Sequence, residues 1–107
     1  MVIRRFDVFR NPESRSARSF PYLLVLQSEL LEALTTVVVA PLVRRSMLAG
    51  IPTARLNPGL QVEDETVYML TQQIGAVSAK SLSKQVANLD VERTAITQAL
   101  DFLFSGI

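Results

Sequence analysis

Short apolar stretches of strand length punctuate the first two-thirds of the chain, and the period then changes. Phe6-Asp7-Val8-Phe9 alternates apolar and polar residues as a half-buried strand does. Tyr22 to Leu26 is a continuous apolar run of strand length. Thr35 to Val39 is dense in β-branched residues and predicts a buried strand ending near Pro41, because proline gives no ladder hydrogen bond. After the Asn57-Pro58-Gly59 turn, Leu60-Gln61-Val62 and Thr66 to Leu70 predict two arms of a hairpin, with Glu63-Asp64-Glu65 keeping its tip in water. Val77 to Leu82 is a candidate further strand, and Ser83 to Val86 a candidate helical turn. Arg10 to Ser19, rich in Asn, Pro, Ser and Arg, reads as a loop, as does Arg44 to Pro52 with at most one helical turn.

From Asp90 onward the pattern is helical. Asp90 is a good N-cap residue, and Glu92 suits the positive end of the helix dipole. Ile96, Ala99, Leu100 and Leu103 form one apolar stripe; Asp90, Thr94, Thr97 and Asp101 form a polar one. Gly106 is placed for the left-handed residue that closes a helix. The expectation is a mainly β fold of about five antiparallel strands capped by a C-terminal α-helix. At 107 residues the chain is expected to form a single domain, 1–107.

Composition narrows the chemistry. Apolar residues make up 49% of the sequence, as in a globular domain, and there is neither Cys nor His. That removes disulfides, thiol nucleophiles, Ser-His-Asp triads and the usual zinc sites. The expectation is therefore no enzyme, no metal and no cofactor, with a ribonuclease built from Arg and carboxylates as the remote enzymatic reading. No signal-like segment opens the sequence, and the apolar stretch Val37 to Val43, broken by Pro41, is far short of the roughly 20 residues of a membrane span. A soluble, cytoplasmic protein with no membrane contact is expected.

Net charge is only +1, but Arg4, Arg5, Arg10, Arg15 and Arg18 crowd the first 18 residues, and Arg44 and Arg45 follow. The chain as a whole does not read as a nucleic-acid binder. A local basic surface facing an acidic partner fits the distribution.

Four segments, taken in order, resemble the CcdB family of toxins that poison DNA gyrase. They are Gln27-Ser28-Glu29-Leu30-Leu31-Glu32, Val39-Ala40-Pro41-Leu42, Glu63-Asp64-Glu65 with Met69-Leu70-Thr71, and Asp90 to Ile107 with its Gly-Ile ending. The resemblance covers about nine-tenths of the chain, and only the loop from Asn11 to Ser19 looks longer than in the family's plasmid-borne member. It implies an SH3-like antiparallel barrel with a C-terminal helix, in a homodimer whose terminal helices lie beside the dimer axis. It implies that this surface enters the opened gate of the gyrase A subunit and holds the enzyme on cleaved DNA. It also implies a cognate antitoxin with a disordered acidic tail. The pair would repress its own operon, meeting DNA only through the antitoxin.

Carried over residue by residue, the gyrase-facing set is Leu30, Leu31, Asp101, Phe104, Ser105, Gly106 and Ile107. Asp101 stands where the plasmid-borne member has Asn. Ser105 stands where it has Trp, and a Trp pair that clamps a gyrase Arg would supply about 1–2 kcal/mol of stacking and cation–π attraction that serine lacks. Two readings follow: a gyrase poison, or an antitoxin-binding co-repressor on the same frame that has lost poisoning.

For each candidate a plainer role stands beside the functional one. Phe104 and Ile107 close the helix against the core or are presented at the dimer axis. Leu30 and Leu31 cannot both point inward from a regular strand, so one is a candidate contact. Asp101 is a solvated helix residue, or a charge kept beside the negative helix end for a basic partner. Arg10, Arg15, Arg18, Arg44 and Arg45 serve solubility, or grip the carboxylates of the antitoxin tail while Met47 and Leu48 offer apolar sockets.

Overall fold

The computed structural model describes residues 2–31, 33–48, 50 and 52–106. Seven strands run in chain order: β1 (Asp7–Arg10), β2 (Tyr22–Val25), β3 (Thr36–Arg44), β4 (Gly59–Val62), β5 (Glu65–Met69), β6 (Gly75–Ser78) and β7 (Gln85–Asn88). One helix, α1 (Arg93–Ser105), follows them. All strand pairs are antiparallel, in the order β4-β5-β3-β2-β1-β7, with β6 on β3 as a branch. The sheet curls into a half-barrel with α1 against it, so the mainly β fold with a C-terminal helix is as expected.

β2 explains why the sheet needs two cores. All four of its residues are buried. Tyr22 and Leu24 point to the main core, in rows with Val8, Ala40, Leu42 and Met69. Leu23 and Val25 point the other way, into a smaller cluster with Phe9, Val37, Val39 and Leu82. The continuous apolar run is thus the mark of a strand covered on both faces. Ile96 and Ala99 of α1 are fully buried in the main core, with Leu100 packed beside them. A 13-residue helix is marginal alone, so this stripe holds it in place.

The structure corrects four expectations. β3 does not stop at Pro41 but continues to Arg44. The Pro41 carbonyl accepts the Leu70 N–H, so the missing donor faces the junction where β6 has ended and β5 begins, and the ladder needs no bond there. The strand sought at Val77 to Leu82 lies earlier, at β6, and Ala79–Ser81 is a 3-10 turn. The helical turn sought at Ser83 to Val86 does not form: Gln85 and Val86 open β7, drawn into the sheet by pairing with β1. Asp90 does not cap α1: it opens a 3-10 turn, Asp90–Glu92, while its own N–H bonds the Asn88 side chain. Among the described residues no side chain caps α1, and the Glu92 carboxylate reaches across to the Gln61 N–H on the outer edge of β4.

Truncating the helix anchor tests this packing. Ile96→Ala is expected to cost about 2–5 kcal/mol, as for other fully buried aliphatic truncations. Urea unfolding measures it, and a loss below about 1 kcal/mol would mean that α1 is held by something else.

Candidate functional site

The end of α1 is closed and exposed. Gly106 adopts φ 71, the left-handed conformation expected of it, and donates its N–H to the Phe102 carbonyl at 2.9 Å. Phe104 is 71% exposed, and Asp101, Ser105 and Gly106 are exposed around it. An exposed Phe in the last turn of a helix whose other face is core is a large apolar side chain left to water. Ile107, the last of the expected helix-end residues, lies outside the described residues.

Leu30 and Leu31 are both exposed, at 90% and 49%. At least one exposed leucine is the expectation; both are exposed because they lie on a 3-10 turn, Glu29–Leu31, rather than on a strand. The Ser28 hydroxyl accepts the Leu30 N–H and the Ser28 carbonyl the Leu31 N–H, which fixes that turn. Leu34, bonded back to the Leu31 carbonyl, is 51% exposed and extends the apolar surface. Sequence reasoning missed Leu34; an isolated Leu just before the β-branched run was its only signal. Beneath this turn a groove of about 460 Å³ opens onto the smaller core, lined by Leu31, Leu34, Val37, Ala79 and Leu82 among others.

The basic candidates fall into two groups. Arg10 pairs with Glu63 at 2.9 Å, and Arg44 with Glu65 at 3.2 Å. The Tyr22 hydroxyl lies between the two acids, 3.1 Å from Glu63 and 3.2 Å from Glu65. Glu63 and Asp64 both have positive φ, at 48° and 67°, and make a tight two-residue hairpin turn that aims Glu63 back at Arg10. Arg10 and Arg44 are therefore already compensated within the chain. Arg15, Arg18 and Arg45 are exposed and make no ion pair among the described residues. Met47, 46% exposed, and Leu48 do form apolar lining: with Phe20, Val43, Pro52 and Leu70 they wall a second groove of about 350 Å³. Arg45 and Arg18 adjoin that lining in sequence.

Burial and hydrogen bonding to Glu63, together with the negative charge of Glu65, push the Tyr22 phenol up to about 12. No group of three or more His, Cys, Asp or Glu among the described residues is placed to hold a metal ion. None of their helices is long and apolar enough to cross a membrane.

With this geometry in place, comparison with known proteins is informative. A family model described as "CcdB protein" matches residues 5–106, nearly the whole chain. No curated protein matches.

The Tyr22 clasp has a definite pH signature. The fold favours the neutral phenol, so its contribution to stability is complete below pH 10 and is lost as pH rises toward about 12. Unfolding free energies between pH 9 and 12 should fall more steeply for the wild type than for Tyr22→Phe. Parallel slopes would show that Tyr22 does not carry this term.

Proposed function

The chain belongs to the CcdB family, and on that premise we propose that it is the toxin of a toxin–antitoxin pair that acts on DNA gyrase. In this reading it works as a homodimer, binds the gyrase A subunit and traps the complex with cleaved DNA. It performs no catalysis itself. The observation that carries the reading is the exposed Phe104 on the closed end of α1, beside Asp101, Ser105 and Gly106. A helix anchored in the core by one face, with an exposed aromatic in its last turn, presents apolar area at a fixed angle, which is what an inserted wedge needs. Leu30 and Leu31 offer a second exposed apolar element for the same partner.

The neutralising partner in this reading is an antitoxin with a disordered acidic tail that orders as it binds. The groove of Met47 and Leu48 supplies apolar sockets, and Arg15, Arg18 and Arg45 supply cations that make no ion pair among the described residues. Arg10 and Arg44 contribute only if the tail's carboxylates displace Glu63 and Glu65.

Purified protein mixed with gyrase, ATP and supercoiled plasmid is expected to yield linear DNA after detergent and protease treatment. Phe104→Ala, folded as judged by circular dichroism, should reduce that yield at least about tenfold, as for the loss of an aromatic hot spot. Absence of linear DNA with folded wild-type protein at large excess would refute the toxin reading for this chain.

A second reading has its own observation. Ser105 is exposed in the last turn of α1, where the resemblance leads one to expect an aromatic, and serine offers hydrogen bonds but little contact area. In that reading the chain binds antitoxin and takes part in repression without poisoning. Ser105→Trp separates the two: a harmless wild type and a toxic variant favour the co-repressor, whereas a wild type that already cleaves excludes it.

A further inference from the structure

The last turn of α1 contains no basic residue, and Asp101 adds negative charge near the negative end of the helix dipole. A cation reaches this end from elsewhere. The Arg55 guanidinium lies over the Phe102 ring, 4.4 Å from its centroid. A planar guanidinium stacks on an aromatic face as an ammonium cannot. Phe102 is also the residue whose carbonyl accepts the Gly106 N–H, so Arg55 bears on the bond that closes the helix. Two positions along a helix turn a side chain through roughly 200°. Holding Phe102 inward, where it is half-buried, therefore directs Phe104 outward, where it is 71% exposed.

The loop that carries Arg55 is anchored to the sheet. Asn57, only 7% exposed, donates through its side chain to the Met69 carbonyl at 3.0 Å and to Gln72 at 2.9 Å. Its backbone N–H bonds the Thr53 carbonyl at 2.6 Å, and its side-chain oxygen accepts the Thr53 N–H at 3.4 Å. The buried Thr71 hydroxyl donates to the Leu56 carbonyl. Residues 53–57 thus form a short brace between the β5 end of the sheet and the tip of α1.

We propose that Arg55 is a positioning residue for the presented end of α1: it fixes the last turn, and with it the direction of Phe104, Ser105 and Gly106. The proposal deepens the gyrase-facing reading of that tip and rests on it for the partner. The resemblance assigns Arg55 no role, because Arg55 lies outside all four matching segments.

The test uses the full chain with Arg55→Met, which keeps the aliphatic stem, and Arg55→Lys, which keeps the charge. Amide hydrogen exchange is followed by NMR, and binding to the gyrase A subunit by calorimetry. Arg55→Met is expected to speed exchange at Gly106 about tenfold while amides of β2 and β3 are unchanged, and to weaken gyrase binding by a similar factor, a size set by one stacked cation. Arg55→Lys should recover part of both. Gly106 exchange within twofold of wild type in Arg55→Met would overturn the proposal, as would faster exchange with unaltered gyrase affinity. A wild type that does not bind gyrase at all would sink the toxin reading alone, because the exchange comparison still decides whether Arg55 fixes the turn.

Discussion

β3 must satisfy two different neighbours along one edge, and the rest of the fold is arranged around that. Its inner edge pairs with β2 over Val39 to Leu42. Its outer edge is divided, with β6 along Thr36 to Val39 and β5 along Leu42 to Arg44. Between the two partners the chain leaves the sheet through the 3-10 turn Thr71–Gln73, which packs on α1. Pro41 sits opposite this gap, at a place where a donor would have found no ladder partner. With β5 and β6 sharing one edge of β3, the sheet is curled rather than flat. It curls around the helix on one face and gathers a second, smaller cluster on the other.

Buried polar side chains fix the loops that the sheet leaves over. Asp7, 2% exposed, accepts bonds from the Arg4 backbone N–H and from the side chains of Gln85 and Asn88. These bonds hold a turn in which Phe6 takes φ 72, a conformation that costs a non-glycine residue about 1–3 kcal/mol. Burial of the Phe6 ring and backbone bonds to Val25 and Leu89 on either side offset it. Asn57 and Thr71 do the same for the loop before β4. In each case a satisfied polar group inside the protein, rather than loop propensity, decides where the chain runs.

Most of the fold could be read from local pattern, and the failures share a cause. β1, β2, the β4–β5 hairpin and α1 carry their own periodicity and turn residues. β7 does not: Gln85-Val86-Ala87-Asn88 is too short and too polar to declare itself, and becomes a strand only because β1 lies beside it. The start of α1 was misplaced because the 3-10 turn before it is fixed by Asn88 and not by an Asp90 cap. At the site, the left-handed close of the helix was legible from Gly106, but the exposure of Phe104 was not, because Phe104 follows Leu100 by four residues and could equally have packed on the core. The pairing of Arg10 with Glu63, 53 residues away, was not, because sequence counts charges without showing which are already matched. Arg55 over Phe102 was invisible for the same reason.

The pairing of β1 with β7 also sets the order in which the molecule can come into being. Asp7 and Asn88 meet across a sequence separation of 81. As the polypeptide is made, β1 can join β2 early, but its second edge has no partner until β7 has emerged. Until then that edge is an open template of backbone donors and acceptors, and the buried carboxylate of Asp7 lacks two of its three partners. Closing so long a loop is the slow kind of folding event, one that comes after the locally encoded hairpins have formed. The exposed tip of α1 therefore follows in time the completion of nearly the whole sheet, and a nascent or truncated chain lacks the scaffold that gives Phe104 its direction.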